Sequence, residues 1–226
     1  MRLRLHDITF GYPNAPAPVL ERVSLDVPAG SITGLVAPSG TGKSTLLKIA
    51  ALTLAPDRGS ITVDDIRVRG TGFAVPPVTR RGIGLVLQSP RSATSDRLRL
   101  RELIAEPLSF RAGRRYPRPA EHADRIAELA DLVQLTEDLL DRLPHQVSDG
   151  QLQRACLARA LALDPPVLLC DEPTAMLDAP TTAVIMRIVA ARAEAGAGVL
   201  MASHDRALLD AIGAAVVDLT SVADHG

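Results

Sequence analysis

Ala37-Pro38-Ser39-Gly40-Thr41-Gly42-Lys43-Ser44-Thr45 joins an apolar run over residues 32–36 to a helical pattern over residues 46–52. The run has the length and composition of a buried strand. A loop of small residues between a strand and a helix, closing on Gly-Lys-Ser, is a phosphate cradle. Its backbone N–H groups converge on an anion, and the helix N-terminus adds positive potential. Ser39, Gly40, Thr41, Gly42 and Thr45 line that cradle. Lys43 reaches the terminal phosphates, and the Ser44 hydroxyl ligates Mg2+. The strict pattern starts on glycine, whereas this chain has Ala37. Alanine tolerates positive φ poorly, so an altered start to the loop is expected.

Outward from the cradle the chain reads as a strand-rich start, a helical middle and an α/β end. Leu3, Leu5, Ile8 and Phe10 mix with polar residues as in a half-exposed strand, and Val23, Leu25 and Val27 alternate up to the turn Pro28-Ala29-Gly30. Two antiparallel strands ahead of the cradle's own strand are expected. Further strands are expected over 60–63 and 83–87, and helices over 100–110, 119–133 and 150–163. A short apolar strand over 167–170 then leads to a helix over 181–194, a strand over 199–202, a helix over 206–212 and a strand over 215–219. Alternating strands and helices of this kind build a parallel sheet.

The strand over 167–170 ends in Asp171-Glu172. Ligands of such sheets sit beyond the carboxyl ends of the strands. Two adjacent acids there divide the work: Asp171 holds the metal through water, and Glu172 polarises the attacking water. Cradle, metal and positioned nucleophile are the parts that phosphoryl transfer needs. A third feature is Ser148-Asp149-Gly150-Gln151. Ser148 followed three residues later by Gln151 is a capping box that opens a helix, and such a helix start also suits an anion.

In that order these segments resemble the nucleotide-binding subunit of an ABC transporter, and the likeness covers nearly the whole chain. Ser148 to Gln151 resembles the signature Ser-Gly-Gly-Gln, with Asp149 in place of the first glycine. Gln88 stands where the family has the glutamine that meets metal and water, Ala175 to Asp178 resembles its D-loop, and His204 resembles its switch histidine. Tyr12 stands where the family stacks an aromatic on adenine. Each has a plainer reading: an edge-strand aromatic for Tyr12, a strand cap for Gln88, a helix-start histidine for His204. The resemblance implies an α/β fold with a P-loop NTPase core, an antiparallel β subdomain and an inserted helical subdomain. The ATP-binding core then covers 1–88 and 161–226, and the helical lobe covers 89–160. ATP and Mg2+ are the implied cofactors. Tyr12, the cradle, Ser148, Gly150, Gln151 and Asp178 bind nucleotide. Ser44, Gln88 and Asp171 hold the metal, and Glu172, His204 and Gln88 carry the chemistry.

Arg101 to Leu108, His145-Gln146 and Cys156 to Leu161 resemble importers of peptides and nickel. These pair two non-identical ATPase subunits with transmembrane permease subunits, and indirectly with an extracytoplasmic solute-binding protein. The site of action is then the cytoplasmic face of the membrane. Longer members carry a C-terminal extension beyond the point where this sequence stops. Two other readings stand beside this one: a non-transport ABC ATPase, and a degenerate regulatory half of a heterodimeric ATPase pair, suggested by Ala37 and Asp149.

Composition bounds these readings. A formal net charge of −1 supplies no global field for nucleic acid. No apolar run approaches the ~20 residues of a membrane span, and Met1-Arg2-Leu3-Arg4 lacks a signal peptide's apolar core. Cys156 and Cys170 have no metal spacing and read as buried thiols in a reducing cytoplasm. Residues 80–118 are rich in arginine, either as a solvated helical face or as a surface near anionic headgroups. The only lysines are Lys43 and Lys48, so a point-charge cation stands alone in the cradle.

Overall fold

The computed structural model describes residues 2–64, 66–69, 75–175 and 177–222. Met176, in the segment likened to a D-loop, lies outside them. Elements are numbered along the chain. β1 (Leu3–Phe10), β2 (Leu20–Val27), β4 (Arg58–Val63) and β5 (Ile66–Arg69) form an antiparallel sheet in the order β2-β1-β4-β5. Leu3 faces Val27 on one side and Val63 on the other, and Leu5 faces Leu25 and Ile61. These apolar residues therefore share one face, as the period-2 pattern requires.

β6 (Ile83–Val86), β7 (Val167–Asp171), β8 (Gly198–Ala202), β3 (Ile32–Val36) and β9 (Ala215–Asp218) form the second sheet, in the order β6-β7-β8-β3-β9. β3 is parallel to both β8 and β9, and β7 is parallel to β8. Every residue of β7 and β8 is buried. That is why these strands read as continuous apolar runs. α1 (Lys43–Ala50) follows β3. Its Leu46, Leu47 and Ile49 are fully buried in one core with Leu3, Ile8 and Ile61 of the antiparallel sheet and Leu35, Leu169 and Leu200 of the parallel one. Each such side chain contributes ~1.5–3 kcal/mol on burial.

The remaining helices are α2 (Pro77–Arg81), α3 (Leu100–Arg111), α4 (Ala123–Leu132), α5 (Glu137–Leu140), α6 (Asp149–Leu161), α7 (Ala179–Glu194), α8 (Arg206–Ala211) and α9 (Leu219–Val222). The helix expected over 119–133 divides into a 3-10 turn, Pro119–His122, and α4. α1 starts three residues ahead of the apolar pattern, at Lys43, and the chain turns off its end through Leu52 at φ 59°. β5, α2, α5 and the 3-10 turn Pro144–Gln146 have no counterpart in the sequence reading.

The chain divides into two compact units. One comprises Met1–Leu85, Pro166–Glu172 and Ala190–Gly226; the other comprises Val86–Pro165 and Pro173–Val189. The second therefore includes 173–189, which the sequence reading assigned to the core lobe. The reason is local packing on α6. Gly150 abuts Thr181 and Leu177, and the Gln153 amide donates to the Pro173 carbonyl at 3.1 Å. Within this unit Leu103 and Ile104 of α3, Leu129 of α4 and Leu152 and Cys156 of α6 are buried. Cys156 and Cys170 are both free and buried, one in each unit.

Candidate functional site

Strand order assembles the first constellation. β8 lies between β3 and β7, so the carboxyl ends of three neighbouring strands carry the Lys43 loop, His204 and Asp171-Glu172. Backbone bonds tie the tips together: Ser203 N–H donates to Leu35 O at 3.1 Å, and Glu172 N–H to Ala202 O at 2.9 Å.

Gly40 and Gly42 supply the left-handed turns of the cradle, at φ 82° and 98°. A Cβ at Gly42 would also approach Val19 and Leu20 side chains to 2.9 Å. Position 37 is not among the positive-φ residues, so Ala37 costs no backbone strain and the expected alteration there does not follow. The Thr41 hydroxyl donates to Pro38 O at 2.7 Å, which pins the loop on itself. Lys43 is 7% exposed, and its Nζ donates to Ala37 O at 2.7 Å and Pro38 O at 3.2 Å. Its charge faces Glu172 Oε1 at 3.8 Å. Glu172 Oε2 in turn lies 3.0 Å from His204 Nδ1. Glu172 sits at φ 45°, an unfavourable angle for a non-glycine residue, and the strand tip holds it there. Tyr12 is half exposed. Its hydroxyl lies 3.1 Å from Thr45 Oγ1, and its ring packs edge-on to Phe10.

Asp171 is 4% exposed. Burial raises its carboxyl above the usual carboxylate range and Glu172 adds to this, while a hydrogen bond with Ser44 and the charges of Lys43 and Lys48 act in the opposite sense. A buried, partly uncompensated carboxylate beside a hydroxyl suits a hard divalent cation. Among the described residues no three His, Cys, Asp or Glu side chains cluster as a metal cage. Ser44 and Asp171 are the groups that would hold a divalent cation here, a hydroxyl and a carboxylate of the kind Mg2+ takes.

The second constellation lies in the other unit. Ser148 caps α6: its Oγ accepts from Gln151 N–H at 3.2 Å, and Gln151 Oε1 accepts from Ser148 N–H at 2.9 Å. Gly150 packs closely, since a Cβ there would lie 3.3 Å from the Thr181 methyl, which would have to shift by a few tenths of an ångström. Asp178 caps α7, accepting from Thr181 N–H at 2.8 Å. Hydrogen bonds from Thr181 hold its carboxyl below the usual range, with Arg154 adding to this. Gln88 is exposed, just past β6. Two residues escaped the sequence reading. Gln153 is buried, and its amide donates to Leu87 O at 3.2 Å as well as to Pro173 O, so it braces the residue before Gln88 and the residue after Glu172. Arg91 pairs with Asp149 at 2.6 Å. Neither partner is local in sequence, so no spacing rule signals them.

The ABC transporter family model matches residues 20–175. The Fe(3+) ions import ATP-binding protein FbpC of Mesorhizobium japonicum is 42% identical over 193 residues, which cover 85% of this chain and 51% of the relative. The methionine import ATP-binding protein MetN of Thermobifida fusca is 42% identical, covering 92% of this chain and 63% of its own length. A putative peptide import ATP-binding protein of Brucella abortus is 37% identical over 85% of this chain and 58% of its own. The chain thus spans between half and two thirds of these relatives' length. Among solved structures, the dimeric post-hydrolysis state of the ATP-binding cassette MJ0796 bound to ADP and Pi superposes with a TM-score of 0.80 at 31% identity, over 91% of this chain and 89% of that one. A second dimeric structure of the same bacterial ABC transporter cassette gives 0.83 at 30% identity, over 96% and 94%.

Proposed function

The chain belongs to the ABC transporter family, and from that membership we propose that it is the ATP-binding, ATP-hydrolysing subunit of an importer. The observation that carries the reading is Glu172, held between Lys43 at 3.8 Å and His204 at 3.0 Å at the tips of adjoining strands. A general base needs a fixed carboxylate beside the phosphate cradle, and this one is set by groups on both sides.

The roles divide as follows. Backbone N–H groups of residues 39–45 and the Lys43 ammonium hold the β and γ phosphates, and Tyr12 is the platform for adenine. Ser44, Asp171 through water, and Gln88 hold Mg2+, which neutralises charge on the phosphates when bound. Glu172 orients the attacking water, and His204, tethered through Nδ1, contacts the γ-phosphate. Ser148, Gly150 and Gln151 meet the γ-phosphate of ATP held by a second ATPase subunit in a head-to-tail sandwich, with Asp178 at the same junction. Binding across two chains is the step that couples hydrolysis to the membrane partners. The intact Lys43–Glu172–His204 set favours a hydrolysing subunit over a degenerate regulatory one.

The partners in this reading are permease subunits, a second and non-identical ATPase, and indirectly a solute-binding protein, at the cytoplasmic face of the membrane. Attachment in this reading is peripheral, through the permease subunits; among the described residues no helix is long and apolar enough to cross a membrane. The relatives' import of ferric ions, methionine and peptides supports a small solute. The resemblance of Arg101 to Leu108, His145-Gln146 and Cys156 to Leu161 to importers of peptides and nickel favours peptides, nickel or a related small solute.

The test is purification through a tag on this chain from detergent-solubilised membranes. Permease chains should co-purify, and the complex should hydrolyse Mg-ATP. Lys43→Ala should abolish hydrolysis and weaken nucleotide binding. Hydrolysis at the unmutated rate in Lys43→Ala overturns the cradle's role, and a complex without permease chains overturns the transport role.

A further inference from the structure

An acid at the first helical position of the segment 148–151 is electrostatically awkward, because that end is assigned to a phosphate. Asp149 is the first residue of α6, and its side chain is 62% exposed. As a helix-start residue it is favourable, since the orphan N–H groups of the first turn attract anions. For the same reason it competes with a phosphate oxygen for those groups, and its charge repels the ligand. The structure contains an answer to this within the same unit. Arg91 Nη2 lies 2.6 Å from Asp149 Oδ1. The same guanidinium donates through Nη1 to Pro144 O at 3.1 Å and through Nη2 to Val147 O at 3.2 Å. One planar cation therefore spans the two carbonyls that bracket the turn before Ser148 and the carboxylate just after it. The turn is itself pinned, Leu143 N–H donating to Gln146 Oε1 at 2.9 Å.

We propose that Arg91 is a positioning residue for the segment 148–151: by pairing with Asp149 it cancels the charge and draws the carboxylate aside, so that the helix start accepts a phosphate anion. A fork of fixed donors suits this task better than a flexible ammonium, because it holds the acid and the carbonyls at once. The inference rests on the function proposed above, in which this segment meets ATP, and it assigns to Arg91 a role that Gln88, three residues earlier, does not share.

The experiment uses the complex purified with its own permease partners, in five forms: unmutated, Arg91→Met, Arg91→Lys, Asp149→Gly, and Arg91→Met with Asp149→Gly. ATPase rates are measured at low and at high KCl, and ATP retention is measured in each form with Glu172→Gln added. Arg91→Met is expected to lower the rate about tenfold at low salt, with recovery to within about twofold at high salt, because salt screens an exposed repulsion. In the Asp149→Gly background the same change is expected to alter the rate by less than about twofold, the signature of coupling between the two sites. ATP retention should fall in parallel. Arg91→Lys, which keeps the charge but loses the fork, should retain clearly more of the rate than Arg91→Met. A loss of equal size in both backgrounds, unmoved by salt, would show that Arg91 only braces the turn, and would overturn the inference. So would an unmutated rate in Arg91→Met, or a loss in Arg91→Lys as large as in Arg91→Met. A native complex whose hydrolysis does not depend on Lys43 would instead overturn the function itself.

Discussion

At the Lys43 loop the chemical groups come from three strand tips and lean on one another, with Lys43, Asp171 and Glu172 largely buried and His204 exposed. At 148–151 they are more open: Ser148 and Gln151 satisfy each other across three residues, and Asp149 pairs with Arg91. Lys43, Asp171 and Glu172 are each less than one-seventh exposed, and the two adjacent carboxylates are only partly offset by the Lys43 ammonium. Ser148 and Gln151 close a reciprocal cap and need nothing more. In the reading proposed above, the first region performs chemistry and holds charge at a cost to stability, while the second docks a partner and keeps itself folded until that surface arrives. Substitutions should therefore separate the two. Changes in the first affect turnover more than folding, and changes in the second affect the helix first.

The largest expected effect is at Glu172. Glu172→Gln preserves size but removes the charge proposed to orient water, and hydrolysis should fall by about a thousandfold or more with Mg-ATP binding retained. Phosphate release and nucleotide retention measure the two separately. Joint loss of both would place Glu172 in the fold and erase the contrast. Next is Gly42→Ala. With φ at 98° and a Cβ approach of 2.9 Å, it should destabilise by ~1–3 kcal/mol and distort the cradle, seen as a lower Tm and weaker ATP binding. Ser148→Ala removes a cap worth ~1 kcal/mol and should lower Tm by about 2–4 °C. An undiminished Tm would mean that the α6 start is held by something other than its box.

The smallest effect has the opposite sign. Burial raises the Asp171 carboxyl above its unfolded value, so the folded state holds its proton more tightly. The stability cost is absent below the unfolded value. It sets in as pH rises from there through the folded value and is complete above it. Asp171→Asn should raise Tm at neutral pH while lowering Mg2+-dependent turnover, and the gain should vanish on acidification. A Tm loss at neutral pH would show that the Ser44 bond outweighs burial.

The path from β3 through the cradle to α1 was legible because a buried parallel strand and a glycine-rich turn leave an unmistakable pattern. So were β7 and the acids at its end. The short elements β5 and α2 were not, since they carry two arginines each and present no continuous apolar run. Arginine-rich 80–118 was ambiguous for a related reason. Arg91, Arg101 and Arg114 find Asp149, Glu137 with Asp141, and Glu121. These acids mostly lie far along the chain, so a local reading saw charge where the fold has pairs. Gln153 looked like any helix residue, and only tertiary structure reveals its two carbonyl acceptors.

The two thiols have a practical consequence. Cys170 lies on β7 in one unit and Cys156 on α6 in the other. Burial pushes Cys170 up to about 12, with Asp171 adding to this, and it also raises Cys156. An alkylating reagent attacks the thiolate, so each cysteine stays silent until its own segment opens. Labelling rates then act as two internal clocks, one for the nucleotide-holding sheet and one for the helical unit. Nucleotide should slow the Cys170 clock in the single chain. A slowing of the Cys156 clock should wait until a partner closes over α6.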